Sequence, residues 1–211
     1  MPALPDAINA YSDDHSTPPP DYLVALAEET RATQSYPQML TSPAAGRFLE
    51  MLVFASGARR VLEIGTYTGH SALCMAAALP EDGVIISCEL DPERAAFARE
   101  HIDATPYGQK INIRVGPALD TIAELDGPFD LAFIDADKGG YPAYFDAVLP
   151  KLADRGLVVL DNMLMGGEVL DDDPREETAT IRRLSERLAG DPSLVSVLVP
   201  IRDGMTVVRR A

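Results

Sequence analysis

Cysteine, histidine and basic residues are scarce in this chain, and each shortage closes off a class of function. Of 211 residues only Cys74 and Cys88 are cysteines. They lack metal-ligand spacing and fall in apolar segments, so they read as buried, reduced thiols of a cytoplasmic protein. No apolar run approaches the roughly 20 residues of a membrane span. No basic region followed by an apolar stretch opens the chain, so neither membrane association nor secretion is expected. Lys and Arg number 18 against 33 Asp and Glu, a net charge of −15. That balance argues against nucleic acid as a partner, and against a highly phosphorylated substrate unless a local basic patch overrules the average. The three histidines form no Ser-His-Asp arrangement; His70 follows a glycine turn near a candidate ligand site, whereas His15 and His101 read as peripheral. The acidic stretch 168–177 lacks the glycine and ligand spacing of a calcium loop and reads as a solvated surface loop. Internal repeats and an inter-domain linker are also missing.

What is present is an alternation of short apolar runs and helical patterns. Length and a 46% hydrophobic content suit one α/β domain with extensions. Residues 1–20 read as a lead-in outside the core, with Pro18–Pro20 extended. Asp21 is placed to cap a helix running to about Ala32. A second helix should follow Thr41-Ser42-Pro43, where proline suits the first turn and Phe48, Leu49, Leu52 and Val53 recur at helical spacing. From Arg60 onward the expected strands are Arg60–Ile64, Val84–Cys88, Ile111–Val115, Leu131–Ile134 and Gly156–Leu160. Helical patterns over Ser71–Ala78, Pro92–Ile102, Ala118–Ala123 and Tyr141–Leu149 separate them. This order implies a parallel sheet with helices on both faces. After a helix near Glu176–Ala189, Leu194–Val199 and Met205–Arg209 flank an Asp203-Gly204 turn, the signature of an antiparallel hairpin.

The chemistry gathers where strands end. Phe133-Ile134-Asp135-Ala136-Asp137-Lys138 and Leu160-Asp161-Asn162 each close an apolar run. Two carboxylates and an amide oxygen can therefore meet at the carboxyl edge of one sheet, where open α/β folds bind ligands. Hard oxygen ligands suit Mg²⁺ or Ca²⁺, and Lys138 offers a nearby proton acceptor. The alternatives are that Asp161-Asn162 cap a loop and that Lys138 pairs with Asp137 on the surface. The first strand runs into Glu63-Ile64-Gly65-Thr66-Tyr67-Thr68-Gly69, spaced G-x-x-x-G rather than as the G-x-G-x-x-G of dinucleotide sites. The second ends in Glu89, positioned to accept both hydrogen bonds of a ribose diol. Together these indicate adenosine binding without a pyrophosphate grip.

From about Met39 to Arg210 the chain resembles the cation-dependent O-methyltransferases of the catechol and caffeoyl-CoA type, within the class I S-adenosylmethionine-dependent methyltransferases. The residues that bear the resemblance are Met39-Leu40-Thr41-Ser42-Pro43, Val61-Leu62-Glu63-Ile64-Gly65-Thr66, Thr68-Gly69-His70-Ser71, Ala78-Leu79-Pro80-Glu81-Asp82-Gly83, Ile134-Asp135-Ala136-Asp137-Lys138, Asp161-Asn162 and Asp203-Gly204-Met205-Thr206. It implies a Rossmann-like doubly wound seven-stranded sheet, mostly parallel with an antiparallel C-terminal hairpin. An N-terminal lid or dimer segment over 1–40 would precede the methyltransferase domain over 41–211. It also implies S-adenosylmethionine and Mg²⁺, or another divalent cation, as cofactors. Glu63, Gly65 and Ser71 would surround the amino-acid part of S-adenosylmethionine, Glu89 its ribose and Ala118 its adenine, with Thr66 also binding the cofactor. Thr41 and Tyr67 would line the cofactor and methyl-transfer region. Asp135, Asp161 and Asn162 would bind the metal, with Asp135 also beside the cofactor, and Lys138 would be the catalytic base, its pKa depressed by nearby positive charge.

The implied reaction is methyl transfer to a small hydroxylated aromatic, a catechol with vicinal hydroxyls, in a cytoplasmic homodimer. Gly139-Gly140 and Met163-Leu164-Met165 depart from the family's usual asparagine and tryptophan. They bear on acceptor specificity, since methionines adapt to aromatic rings. Competing readings are an NAD-dependent oxidoreductase, a binding-only protein in which Lys138 is idle, and methylation of a non-phenolic hydroxyl in natural-product biosynthesis.

Overall fold

A strand covered on both faces must be apolar on both, and the runs 61–64, 84–88 and 131–134 meet that condition, whereas Asn112 and Arg114 of the run 111–115 are exposed at the sheet edge. In the computed structural model, which describes residues 6–211, the expected strands become β1 (Arg60–Ile64), β2 (Val84–Glu89), β3 (Ile111–Val115), β4 (Phe129–Ile134) and β5 (Leu152–Leu160). With β6 (Leu194–Val199) and β7 (Met205–Arg210) they form a seven-stranded sheet in the order β3-β2-β1-β4-β5-β7-β6. The first five strands pair in parallel; β7 runs antiparallel to both β5 and β6. Strand order reverses between β1 and β4, so the crevice for a ligand opens beyond their carboxyl ends.

Eight α-helices flank the sheet among the described residues: α1 (Asp6–Asp14), α2 (Asp21–Thr33), α3 (Pro43–Ser56), α4 (His70–Ala78), α5 (Pro92–Asp103), α6 (Ala118–Glu124), α7 (Tyr141–Val148) and α8 (Glu176–Gly190). Alternation along each central strand divides the core into two layers. Val61, Leu131 and Phe133 pack with Leu26, Leu49 and Leu73 on one side. Leu62, Ile64 and Ile134 pack with Phe145, Ile181 and Leu184 on the other.

Several boundaries differ from the sequence reading. Residues 1–5 of the expected lead-in lie outside those described, but the rest of it holds α1, whose Asp13 Oδ1 accepts a hydrogen bond from Ala44 N at 2.9 Å. Asp21 is the first residue of α2 rather than its cap. The backbone carbonyl of Pro20 takes the amides of Leu23 and Val24 instead. Ser42 does cap α3, its hydroxyl accepting from Ala45 N. Strand β5 begins four residues earlier than its apolar run, because Leu152 pairs with Phe129 while the intervening Asp154 and Arg155 stay exposed. The acidic stretch is in part a 3₁₀ segment, Met165–Leu170, where Glu168 accepts from Arg175 and Thr178.

Candidate active site

The carboxyl ends of β1, β2, β4 and β5 open into one cavity of about 1020 Å³. The first wall grows from β1. Gly65 has φ 103°, and a Cβ there would lie 1.9 Å from the carbonyl oxygen of Asp135. Glycine is therefore what lets the loop after β1 press against the loop after β4. Glu63 points into the interior and is fully buried. Ser71 Oγ donates to its Oε1 at 2.5 Å and Ser87 Oγ donates to its Oε2. Burial pushes the Glu63 carboxyl up from 4.5 to about 7, against the two seryl hydrogen bonds; Asp135 and Glu89 add to the rise.

On β2, Glu89 braces two loops at once. Its Oε2 accepts from Tyr67 N at 2.7 Å and its Oε1 from Asp91 N at 3.0 Å. A carboxylate has about four lone-pair positions, so acceptor capacity is left over on the cavity side. Tyr67, at φ 49°, sends its hydroxyl to the backbone oxygens of Ser35 (2.9 Å) and Tyr36 (3.3 Å), tying the segment before α3 to the site. Thr41, Thr66 and Ala118 also line the cavity, Ala118 as the first residue of α6.

The opposite wall holds the polar set foreseen at β4 and β5. Asp135 N donates to Ile64 O at 2.9 Å and Asp161 N to Ile134 O at 3.1 Å, so each acidic residue is held by the neighbouring strand. Asp161 is buried, and its Oδ1 accepts from Asn162 N at 2.7 Å. Burial, reinforced by the nearby Asp135 carboxylate, pushes Asp161 up to about 7. Asn162 adopts φ 55°, and its side chain lies close to Asp203. Lys138 is not paired with Asp137, which instead accepts from Tyr144 Oη at 2.6 Å and from Gly140 N. Its Nζ donates to Asp135 Oδ1 at 3.0 Å and to Tyr141 Oη at 2.5 Å, and Tyr141 Oη donates to Asp161 O at 3.1 Å. The structure thus brings the sequence-selected residues to one cavity except Glu63, which is buried behind it and hydrogen-bonded to the lining residue Ser71.

A family model described as O-methyltransferase matches residues 13–211. The chain belongs to the O-methyltransferase family. It is 36% identical to caffeoyl-CoA O-methyltransferase 2 of Zea mays, over 97% of this chain and 83% of that one. It is 34% identical to a catechol O-methyltransferase of Niastella koreensis, over 92% and 89%. Among solved structures, the O-methyltransferase TomG of Streptomyces achromogenes, in complex with SAM, superposes with a TM-score of 0.87 at 31% identity, covering 97% and 96%. The chain is an S-adenosylmethionine-dependent O-methyltransferase of the caffeoyl-CoA and catechol type. That sets aside the oxidoreductase reading.

Four polar groups of this O-methyltransferase's site escaped the sequence reading. Ser87 interrupts the apolar run of β2, a signal that was there to be used. Tyr141 follows Lys138 by three residues, close to one turn. Asp203 and Arg202 were absorbed into the hairpin signal. Conversely, the methionines expected near an aromatic acceptor do not line the cavity. Met163 is packed into the core beneath the sheet, and the wall comes instead from Met39, Leu40, Tyr144 and Gly166.

Proposed function

We propose that this enzyme methylates one hydroxyl of a small catechol-like acceptor and depends on a divalent cation, with Mg²⁺ the expected ion. The observation that carries the reading is the polar set on β4 and β5: Asp135, the buried Asp161 and Asn162 at adjacent strand ends, with Lys138 Nζ 3.0 Å from Asp135. Two neighbouring carboxylates, one of them buried, fit a hard cation, whose charge would offset the burial and, after it, the Asp135 repulsion that raise Asp161. Among the described residues no three His, Cys, Asp or Glu side chains form a cage. An ion here would therefore rely on Asp135, Asp161, the Asn162 amide oxygen and water or acceptor oxygens, as Mg²⁺ commonly does.

A cation held by Asp135, Asp161 and Asn162 would supply positive charge to favour the ionised phenol, and S-adenosylmethionine would supply the methyl group. The chain's own residues do the rest. Glu63, Gly65 and Ser71 hold the amino-acid end of the cofactor, which Thr66 also binds, with Asp135 beside it. Glu89 receives the ribose hydroxyls, Ala118 packs on the adenine, and Thr41 and Tyr67 close the methyl-transfer region. Lys138 Nζ takes the phenolic proton, aimed by Asp135 and Tyr141, so that attack needs mainly orientation.

Residues 1–40 act as a lid or dimer segment on the methyltransferase domain over 41–211. The assembly is a cytoplasmic homodimer, a reading supported by Met51 and Phe54 exposed on α3 and Val197 exposed on the edge strand β6. No helix among the described residues is long and apolar enough to cross a membrane. The test is methyl transfer to a panel of catechols in EDTA, then with Mg²⁺ restored. Turnover recovered by the metal is expected; equal turnover in EDTA would refute the cation dependence.

A further inference from the structure

The cavity's charges go one step further, resting on the acceptor reading above. Of the residues lining it, only Lys138, Arg94 and Arg202 are lysines or arginines. Lys138 is committed to Asp135 and Tyr141. Arg94 lies 5.5 Å over the Tyr67 ring and 3.8 Å from Asp91, at the Glu89 end of the crevice. His70, pushed down to about 4 by burial, is neutral near pH 7. Arg202 is the cation left at the acceptor end.

Its position is unusual. Arg202 occupies the tip of the β6–β7 hairpin at φ 52°, a left-handed backbone that few residues other than glycine adopt. It immediately precedes Asp203, whose carboxylate takes Gly166 N at 2.5 Å and meets the Asn162 side chain. Arg202 itself lines the cavity. Its ionic neighbour is Asp13 Oδ2 of α1, at 3.7 Å, and its side chain remains 42% exposed. Asp13 retains the Ala44 N–H on Oδ1, so Arg202 can turn toward a ligand without stranding its neighbour.

We propose that Arg202 receives a carboxylate carried by the acceptor, so that the preferred substrates are free catechol acids rather than their CoA thioesters. A planar guanidinium matches one carboxylate through two parallel hydrogen bonds. A CoA ester brings several phosphate charges instead. The cavity is lined by Asp135, Asp137, Asp161 and Asp203 and belongs to a chain of net charge −15. Each further anion meets repulsion.

The experiment compares kcat/KM for caffeic acid, its methyl ester and its CoA thioester with Mg²⁺ present, in the full-length enzyme and in Arg202→Gln and Arg202→Lys. The wild-type enzyme should favour the acid over the ester by about tenfold or more and turn over the thioester least. Arg202→Gln should bring the acid-to-ester ratio close to one, and Arg202→Lys should restore part of it. Methylation of the ester with no preference for the acid would overturn the proposal while leaving the catechol reading intact. So would an acid-to-ester ratio unchanged in Arg202→Gln, or a thioester used better than the acid. Failure to methylate any of the three, or simple catechols, would overturn the catechol reading and the proposal with it.

Discussion

Glu63→Gln should make the cofactor-free enzyme more stable while weakening its grip on S-adenosylmethionine. The wild-type carboxyl is fully buried and titrates at about 7 rather than 4.5. Between those values the folded state holds a proton that the unfolded chain has released. Stability therefore falls as pH rises through the window, and above it the whole cost is present. That separation is worth about 3 kcal/mol, a large part of the 5–15 kcal/mol that typically holds a domain together. Glutamine has the same shape and no charge. Its amide oxygen can accept from one of Ser71 and Ser87 and its amide nitrogen can donate to the other, so neither hydroxyl is orphaned. The stability difference, variant minus wild type, should be small near pH 4.5 and grow to a few kcal/mol by pH 8, read by urea unfolding of the apo enzyme. Cofactor affinity, read by calorimetry at pH 8, should fall by about tenfold because a charge-assisted contact to the ammonium is lost. A stability difference flat with pH would refute the buried, raised carboxyl. Unchanged affinity would remove Glu63 from the cofactor's surroundings.

Other substitutions probe single contacts. Lys138→Ala should cut kcat by about a hundredfold or more while the cofactor Kd stays within about twofold; an unchanged rate at neutral pH would remove Lys138 from proton transfer. Tyr141→Phe deletes the hydroxyl between Lys138 Nζ and Asp161 O. It should cost about 1–3 kcal/mol of stability in urea unfolding and lower kcat more than it raises the acceptor KM. Glu89→Ala strands the amides of Tyr67 and Asp91, so the cofactor Kd should rise by about tenfold or more, and an unaltered Kd would leave Glu89 with a purely structural role. Gly65→Ala puts a methyl group on the Asp135 carbonyl at φ 103°; a loss of about 3 kcal/mol or more is expected, in the range that cavity-free clashes produce, and a wild-type melting curve would contradict the tight loop contact.

What could be read in the sequence, and what could not, follows from the range over which each constraint acts. The central strands were legible because burial on both faces forces a continuous apolar run, and their acidic ends were legible because charge cannot continue such a run unless the chain is leaving the core. The first half of β5 was not, since Asp154 and Arg155 are exposed and only the partner strand makes them β. Helix α1 is tied to α3 by the Asp13 carboxylate, 31 residues from the amide it meets. The site's missed members share this non-local character: Ser87 meets Glu63 across 24 residues and Asp203 meets Gly166 across 37. The hairpin shows how a correct local reading conceals a functional one. Asp203-Gly204 announces a turn, and Gly204 at φ 84° does make one, with Leu164 packed where a Cβ would stand. That same packing pins the turn to the loop after β5, with Met163 N and Leu164 N donating to the Gly204 and Asp203 carbonyls. A turn so anchored carries Arg202 and Asp203 to the cavity wall. Turn propensity accounts for the glycine; it says nothing of the two charged residues before it, whose identity matters only once β7 is laid beside β5.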